Sequence, residues 1–244
     1  MELSLVIPCY NEARSLPELI ERVALALDDA ALSADQFELV LVDNGSSDGS
    51  WEVMIDLSKV ESFAFLRPKR VLKNQGYGHG MFEGLKASEG RVVATSHADL
   101  QCEPSDVFRA YDLWLERQAD SAGAHVMVKG VRSGRPLPAQ LVSRLFDVAS
   151  LLLLQRWLYE TNAQPKVFTS ELITSLTAPP KDFCFDLYLL LCALREGYQL
   201  ETIPVEFPPR PYGESHWASS FSGRWGTFAR FIRYMAVYRL NGHR

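Results

Sequence analysis

The sequence predicts an α/β fold with a mostly parallel central sheet, helices on both faces, and amphipathic helices toward its carboxyl end. Two observations carry this prediction. Short continuous apolar runs alternate with amphipathic stretches through the first half of the chain, the pattern of strands covered on both faces. Three of those runs also end in polar clusters: Tyr10-Asn11-Glu12, Asp43-Asn44-Gly45-Ser46 and His97-Ala98-Asp99. Sheets of this kind bind ligands beyond the carboxyl ends of their strands, so the three clusters are expected to share one edge, and that edge is the expected site.

Element by element, "LSLVIP" reads as a buried strand. Ser15 and Glu18 then form an expected capping box ahead of Leu16, Leu19, Ile20, Val23 and Leu27 at helical spacing. "FELVLVD" is a second buried strand, and "NGSSDGS" a turn opening a helix through Trp51, Met54 and Ile55. A short strand near Phe63 to Leu72 precedes "NQGYGHG", which leads into a helix ending at "SEG", and "RVVATSHAD" is the next strand. Beyond "AHVMVKGVRSGRP" a helix is expected from Pro138 to Tyr159, then "TNAQPKVF", then a helix containing "FDLYLLLCALREG". "YQLETIPVEF" reads as a strand, "PPRPYGESHW" as a loop, and the last stretch as an Arg- and aromatic-rich helix.

Composition narrows the function classes. At 244 residues, 47% of them hydrophobic, the chain can bury one substantial core with an appended subdomain. A formal net charge of -5 argues against a general nucleic-acid binder, which usually carries a basic excess. Cys9, Cys102, Cys184 and Cys192 form no CxxC pair and read as buried, reduced thiols. No run approaches the roughly 20 apolar residues a membrane span needs, and Met1 leads into the first strand without a basic segment.

Six motifs occur in order: "VIPCYNE", "VDNGSSDGS", "NQGYGHG", "HADLQ", "KGVR" and "RPYGESHW". Together they resemble the family 2 inverting glycosyltransferases of GT-A fold, and within these the dolichyl- and polyprenyl-phosphate mannose synthases. The resemblance covers roughly residues 2 to 217. It implies a nucleotide-diphosphate sugar as donor, a polyprenyl (dolichyl or undecaprenyl) phosphate as acceptor, and a divalent cation, Mg2+ or Mn2+.

The residues fit those implied roles in part. Asp43 can accept from a base or ribose, Glu12 can take ribose hydroxyls, and Pro8 and Tyr10 shape a wall for the base; Val42, Asn44 and Ala98 complete the expected donor pocket. Relatives use an Asp-x-Asp motif with a nearby Gln to hold the metal. Here His97 replaces the first Asp, leaving Asp99 as the expected principal ligand, Gln101 as helper, and His97 as metal ligand, phosphate contact or structural residue. Imidazole favours softer ions than magnesium. The resemblance places Arg132 and Arg210 at phosphates, where a planar guanidinium fork grips oxygens in pairs. The Lys after "YGES" in relatives is His216 here. A lipid phosphate needs no strong general base. A hydroxyl acceptor would need one, and Asp186 is the first candidate, its alternative role being a carboxylate at a helix N-terminus. His79 and His125 read as non-catalytic.

The chain is expected to divide into a catalytic domain, 1–217, and a basic amphipathic helix, 218–244. From Ser215 to Arg244 there is no acidic residue, while Arg224, Arg230, Arg233, Arg239 and Arg244 are basic. Trp225, Phe228, Phe231, Ile232 and Met235 recur at helical spacing, which suits a membrane interface or a packing helix with a basic rim. The expected placement is cytoplasmic, peripheral at the inner membrane face, alone or with a membrane-protein partner. Two alternatives stay open: transfer to a saccharide or protein hydroxyl, and a degenerate GT-A domain serving as a non-catalytic binding subunit.

Overall fold

A computed structural model describes residues 1–120, 123–134, 137–212 and 221–240, apart from the side chains of 138, 139 and 221–225. The elements run β1 (Leu3–Cys9), α1 (Leu16–Asp28), β2 (Phe37–Asn44), α2 (Ser50–Leu57), β3 (Leu66–Val71), α3 (Tyr77–Ala87), β4 (Val92–Thr95) and α4 (Pro104–Asp120). They continue with β5 (Val126–Ser133), α5 (Leu137–Leu154), β6 (Lys166–Thr169), α6 (Glu171–Thr174), α7 (Phe185–Arg195), β7 (Gln199–Glu206) and α8 (Phe221–Leu240).

The seven strands form one sheet in the order β3-β2-β1-β4-β6-β5-β7. β1 pairs in parallel with β2 and β4, with Cys9 opposite Asp43 and Val6 opposite Thr95. β6 is antiparallel to both β4 and β5, while β5 and β7 are parallel. One reversed strand therefore interrupts an otherwise parallel sheet, as the alternating pattern predicts in all but β6. "TNAQPKVF" carries no alternation strong enough to announce a central strand, and α4 has no counterpart in the sequence reading either.

Every residue of β1 and β2 is buried, because both sheet faces are covered. Leu3, Leu5 and Ile7 meet α1 and α4 on one face, whereas Val6, Val40, Val42 and Val93 meet α3 and α7 on the other. The period-two alternation of a strand sends successive side chains into the two cores. A third cluster joins Leu187 and Leu191 of α7 to Phe231 and Met235 of α8, with Phe146 and Ala149 of α5 packed against it. Phe231 and Met235 of the expected stripe are thus packed inward. All four cysteines are buried and free.

The expected capping box does not form. Ser15 is the N-cap of α1 but makes no capping hydrogen bond; its hydroxyl donates to Glu12 at 3.0 Å. Glu18 instead takes Arg22 at 2.6 Å and the Tyr212 hydroxyl at 3.2 Å. A stronger cationic partner one turn away outcompetes the cap.

Helix α3 buries glycines beside Met81 and Leu85, and two of them meet the sheet closely. A Cβ at Gly84 would stand 2.5 Å from Val6 Cγ1 and 2.7 Å from Val42 Cγ2, and one at Gly80 would stand 2.8 Å from the Asn44 side chain. Gly84→Ala is expected to cost about 1–3 kcal/mol, the range for overpacking a filled core. Urea denaturation checks it; an unchanged midpoint would show that the helix can lift off the sheet freely.

Candidate active site

The parallel pairing of β2, β1 and β4 brings all three polar clusters to one edge. The first two loops are laced together. Asn11 N donates to Ser46 Oγ at 3.0 Å, Glu12 N to Ser50 Oγ at 3.0 Å, Ala13 N to Asp48 Oδ2 at 3.0 Å, and Ser47 N to Asn11 Oδ1 at 2.9 Å. Asn11 takes φ 59° to allow this, a conformation Asn tolerates better than most residues. Ser46, Asp48 and Ser50 thus hold the pocket floor in place, a role that the "SSDGS" composition shows only as a turn.

At the centre, Arg210 spans two carboxylates. Its Nη2 donates to Asp99 Oδ2 at 2.8 Å, and its Nη1 lies 3.4 Å from Glu12 Oε1. Glu12 follows β1 and Asp99 follows β4, adjacent strands, so the two acids would otherwise repel across the edge. Burial pushes the Glu12 carboxyl up, against the opposing pull of Arg210 and the Ser15 hydroxyl. The loop bearing Arg210 is pinned by Gln101, whose Nε2 donates to Pro208 O at 2.8 Å. Gln101 also gives its backbone N–H to Asp99 Oδ1 at 3.2 Å. The amide nitrogen is thus committed to this loop, while a metal would be met by the amide oxygen.

The other expected donor residues fall at the same edge with different surroundings. Pro8 and Val42 are opposite one another within the sheet and buried, so neither offers a free surface, and the wall expected of Pro8 falls to Tyr10, which is 44% exposed. Asp43 is fully buried, accepts from Ser46 N at 2.9 Å, and has Arg70 Nε at 3.5 Å. Arg70 lies over the Trp51 ring. Asn44 is buried and donates to Gly76 O at 3.0 Å, tying β2 to the start of α3. Ala98 is buried. His216 and the rest of "GESHW" lie outside the described residues, as does the boundary at 217.

Behind the edge sits a buried ionic cluster that the sequence does not announce. Lys166 Nζ and Asp186 Oδ1 are 2.6 Å apart, both almost wholly buried. Gln164 Nε2 donates to the same Asp186 oxygen at 3.0 Å, and Gln164 Oε1 accepts from Thr95 at 2.8 Å. Tyr77 OH accepts from Gln164 at 3.3 Å. Asp186 is therefore already paired, where a hydroxyl acceptor would call for a free base, and it sits in the first turn of α7, its other expected role. His97 adjoins this cluster, its ring 5.8 Å from that of Tyr77 and its Nε2 buried with no hydrogen-bond partner. Burial holds its imidazole below the ordinary pKa, which keeps a nitrogen lone pair available for a ligand. Arg132 Nε donates to Glu160 Oε2 at 2.6 Å, and its guanidinium lies over the Phe207 ring.

Among the described residues, no three His, Cys, Asp or Glu side chains gather as a ready-made metal nest. Asp99 and the unpartnered Nε2 of His97 still fit a cation that accepts imidazole and takes the rest of its shell from a bound diphosphate. His79, expected to be non-catalytic, meets Gln75 at 3.0 Å, and His125 stacks on Tyr198.

The fold and the placement of this edge have GT-A architecture, and comparison with known proteins agrees. Residues 4–174 match Glycosyl transferase family 2, and the chain belongs to that family. It is 38% identical over 116 residues to an undecaprenyl-phosphate 4-deoxy-4-formamido-L-arabinose transferase of Aeromonas hydrophila, a match covering 47% of this chain and 34% of that protein. The chain thus aligns with about a third of that relative's length. A glucosyl-3-phosphoglycerate synthase from Mycobacterium tuberculosis, solved with Mn2+, UDP and glucosyl-3-phosphoglycerate, superposes with a TM-score of 0.70 at 18% identity. That superposition covers 98% of this chain and 79% of the synthase. A mannosyltransferase from Pyrobaculum calidifontis, solved with GDP-Man and Mn2+, gives 0.62 at 19% identity over 86% and 58% of the two chains.

Lys166→Met would strand the Asp186 carboxylate in the interior, and is expected to cost about 3–5 kcal/mol. Asp186→Asn added to it keeps an acceptor for Gln164, removes the stranded charge, and is expected to recover most of the loss. Chemical denaturation of the three variants reads this; a single variant as stable as the parent would mean that water reaches the pair.

Proposed function

We propose that the chain transfers a hexose from a nucleotide-diphosphate sugar to a polyprenyl phosphate, at the cytosolic face of a membrane. The Aeromonas relative, by its name an undecaprenyl-phosphate sugar transferase, supports the acceptor class. The observation that carries the choice between phosphate and hydroxyl is the Lys166–Asp186 pair. A hydroxyl acceptor needs a free base, and Asp186, the first candidate, is committed to an ammonium. A phosphate acceptor is already ionised and needs none.

In this reading the donor's base and ribose lie against Tyr10 and Glu12, with the laced loops as their floor and Asp43 holding that floor from beneath through Ser46. Arg210 leaves its bridge between Glu12 and Asp99 to meet the diphosphate, and Arg132 grips the acceptor phosphate while Glu160 fixes its plane. A phosphate oxygen of the acceptor bonds the anomeric carbon from the face opposite the leaving group. The bond from that carbon to the diphosphate oxygen breaks, and its electron pair departs with the nucleoside diphosphate. Asp99, with His97, would hold a divalent cation, which when bound acts as a Lewis acid on the leaving diphosphate.

Asp99→Ala is expected to lower transfer by at least about a hundredfold in a protein whose circular dichroism is unchanged. Transfer of labelled sugar from a panel of nucleotide sugars to a short-chain polyprenyl phosphate is the assay, and no product with any donor would sink the reading. Activity of the variant within a few-fold of the parent would remove Asp99 from the site.

His97→Asp exchanges imidazole for an oxygen ligand and is expected to shift activity from manganese toward magnesium. Superimposable metal titrations of parent and variant would place His97 outside the metal shell.

A further inference from the structure

Helix α5 buries only one side. Leu137, Leu141, Leu145, Val148 and Leu152 follow one another four, four, three and four residues apart, which sets them in one stripe along the helix. All five are exposed, Leu137 by 73%, Leu152 by 68% and Leu141 by 59%. Val142 and Leu151 widen the stripe, and the exposed Trp157 and Tyr159 follow its carboxyl end. The opposite side of α5 is satisfied: Phe146, Ala149 and Leu153 pack toward Phe231 and Met235, and Arg239 Nη1 of α8 donates to the Leu152 and Leu153 carbonyls at 3.1 Å.

Charge names what suits the bare side. The chain is acidic overall, at -5, yet Arg144, Arg156, Arg230, Arg233 and Arg239 are all exposed around α5 and α8. The one acid within either helix, Asp147, is buried, as is Glu160 just beyond α5. A second copy of this chain would set arginines against arginines, with no exposed acid from either helix among the described residues to pair them. An anionic lipid surface would pair exposed arginines such as Arg144, which stands among the stripe residues, and arginine stems can lie along the apolar stripe while their heads reach phosphates.

We propose that this face of α5, rimmed by the arginines of α8, docks in the plane of a bilayer bearing anionic headgroups. No described helix is long and apolar enough to cross a membrane, so α5 lies in the interface, its leucines in the acyl boundary. The docking rests on the lipid-acceptor reading and extends it. Tyr159 is followed directly by Glu160, which holds Arg132 at 2.6 Å, so the membrane-facing end of α5 leads straight to the guanidinium assigned to the acceptor phosphate. Phe231 and Met235 of the tail turn inward, and the leucines of α5 face out in their place.

The test is co-flotation of the full chain with vesicles of phosphatidylcholine alone or with phosphatidylglycerol added. The parent is expected to float with the anionic vesicles, less so as salt rises. Leu141→Glu with Leu145→Glu and Leu152→Glu is expected to cut that partition by about tenfold or more. These positions are solvent-facing, so folding should hold, and an unchanged thermal midpoint verifies it. Should the triple variant misfold, Arg144→Ser with Arg156→Ser and Arg233→Ser keeps the stripe and is expected to abolish the preference for anionic vesicles. Undiminished flotation of a folded triple variant overturns the proposal. So does a parent that ignores vesicles but forms, in sedimentation, a dimer which the triple variant loses. Transfer to a short-chain, water-soluble polyprenyl phosphate separates the two readings: it should survive in the triple variant, and its absence from a parent that floats would remove the acceptor while leaving the docking.

Discussion

Two carboxylates at the ends of neighbouring strands, Glu12 after β1 and Asp99 after β4, cannot share one edge without a cation between them. The guanidinium of Arg210 is that cation, and much of the site follows from the need to deliver it there. Arg210 comes from a loop more than a hundred residues further along, and that loop has to be held. Gln101 takes its carbonyl at Pro208, and Glu18, already turned away from the cap by Arg22, also takes Tyr212. The bridge also holds the acidic edge in a form that an anionic ligand can enter, since Arg210 can exchange one partner for another without any charge being left bare in the interior.

Much of this architecture was legible in the residues, for an identifiable reason. β1 and β2 are continuous apolar runs because both faces are covered, and a parallel sheet then fixes where their polar exits must meet. Glu12, Asp43 and Asp99 could be assigned to one edge without any knowledge of contacts. What escaped is equally specific. β6 is a central strand that begins with Lys166, and lysine reads as exterior until its partner is known; Asp186 lies twenty residues away and supplies that partner only after folding. Gln101 also pins the Arg210 loop through its amide nitrogen, a second task that is invisible from "HADLQ" because Pro208 lies more than a hundred residues away. The "SSDGS" turn showed its conformation and concealed its cross-links to Asn11, Glu12 and Ala13.

The carboxyl-terminal helices show the same limit from the other direction. Periodicity tells how many faces a helix has, never which face meets protein. The tail's aromatic stripe and the leucines of α5 are equivalent patterns in sequence. Packing resolves them oppositely: Phe231 and Met235 are almost wholly buried, while Leu141 and Leu152 look outward.

Helix α7 stands between these two worlds. Its residues from Phe185 to Ala193 are all buried, Leu189 and Leu190 against the sheet's core and Leu187 and Leu191 against α5 and α8. A helix apolar all round has no side on which change is neutral. The chain can therefore absorb change at exposed positions away from the site and the docking face of α5, yet it has no such freedom in α7. Divergence among descendants of this protein would accumulate on the periphery and leave α7, and the carboxylate it carries, as the slow-changing spine by which distant copies remain recognisable.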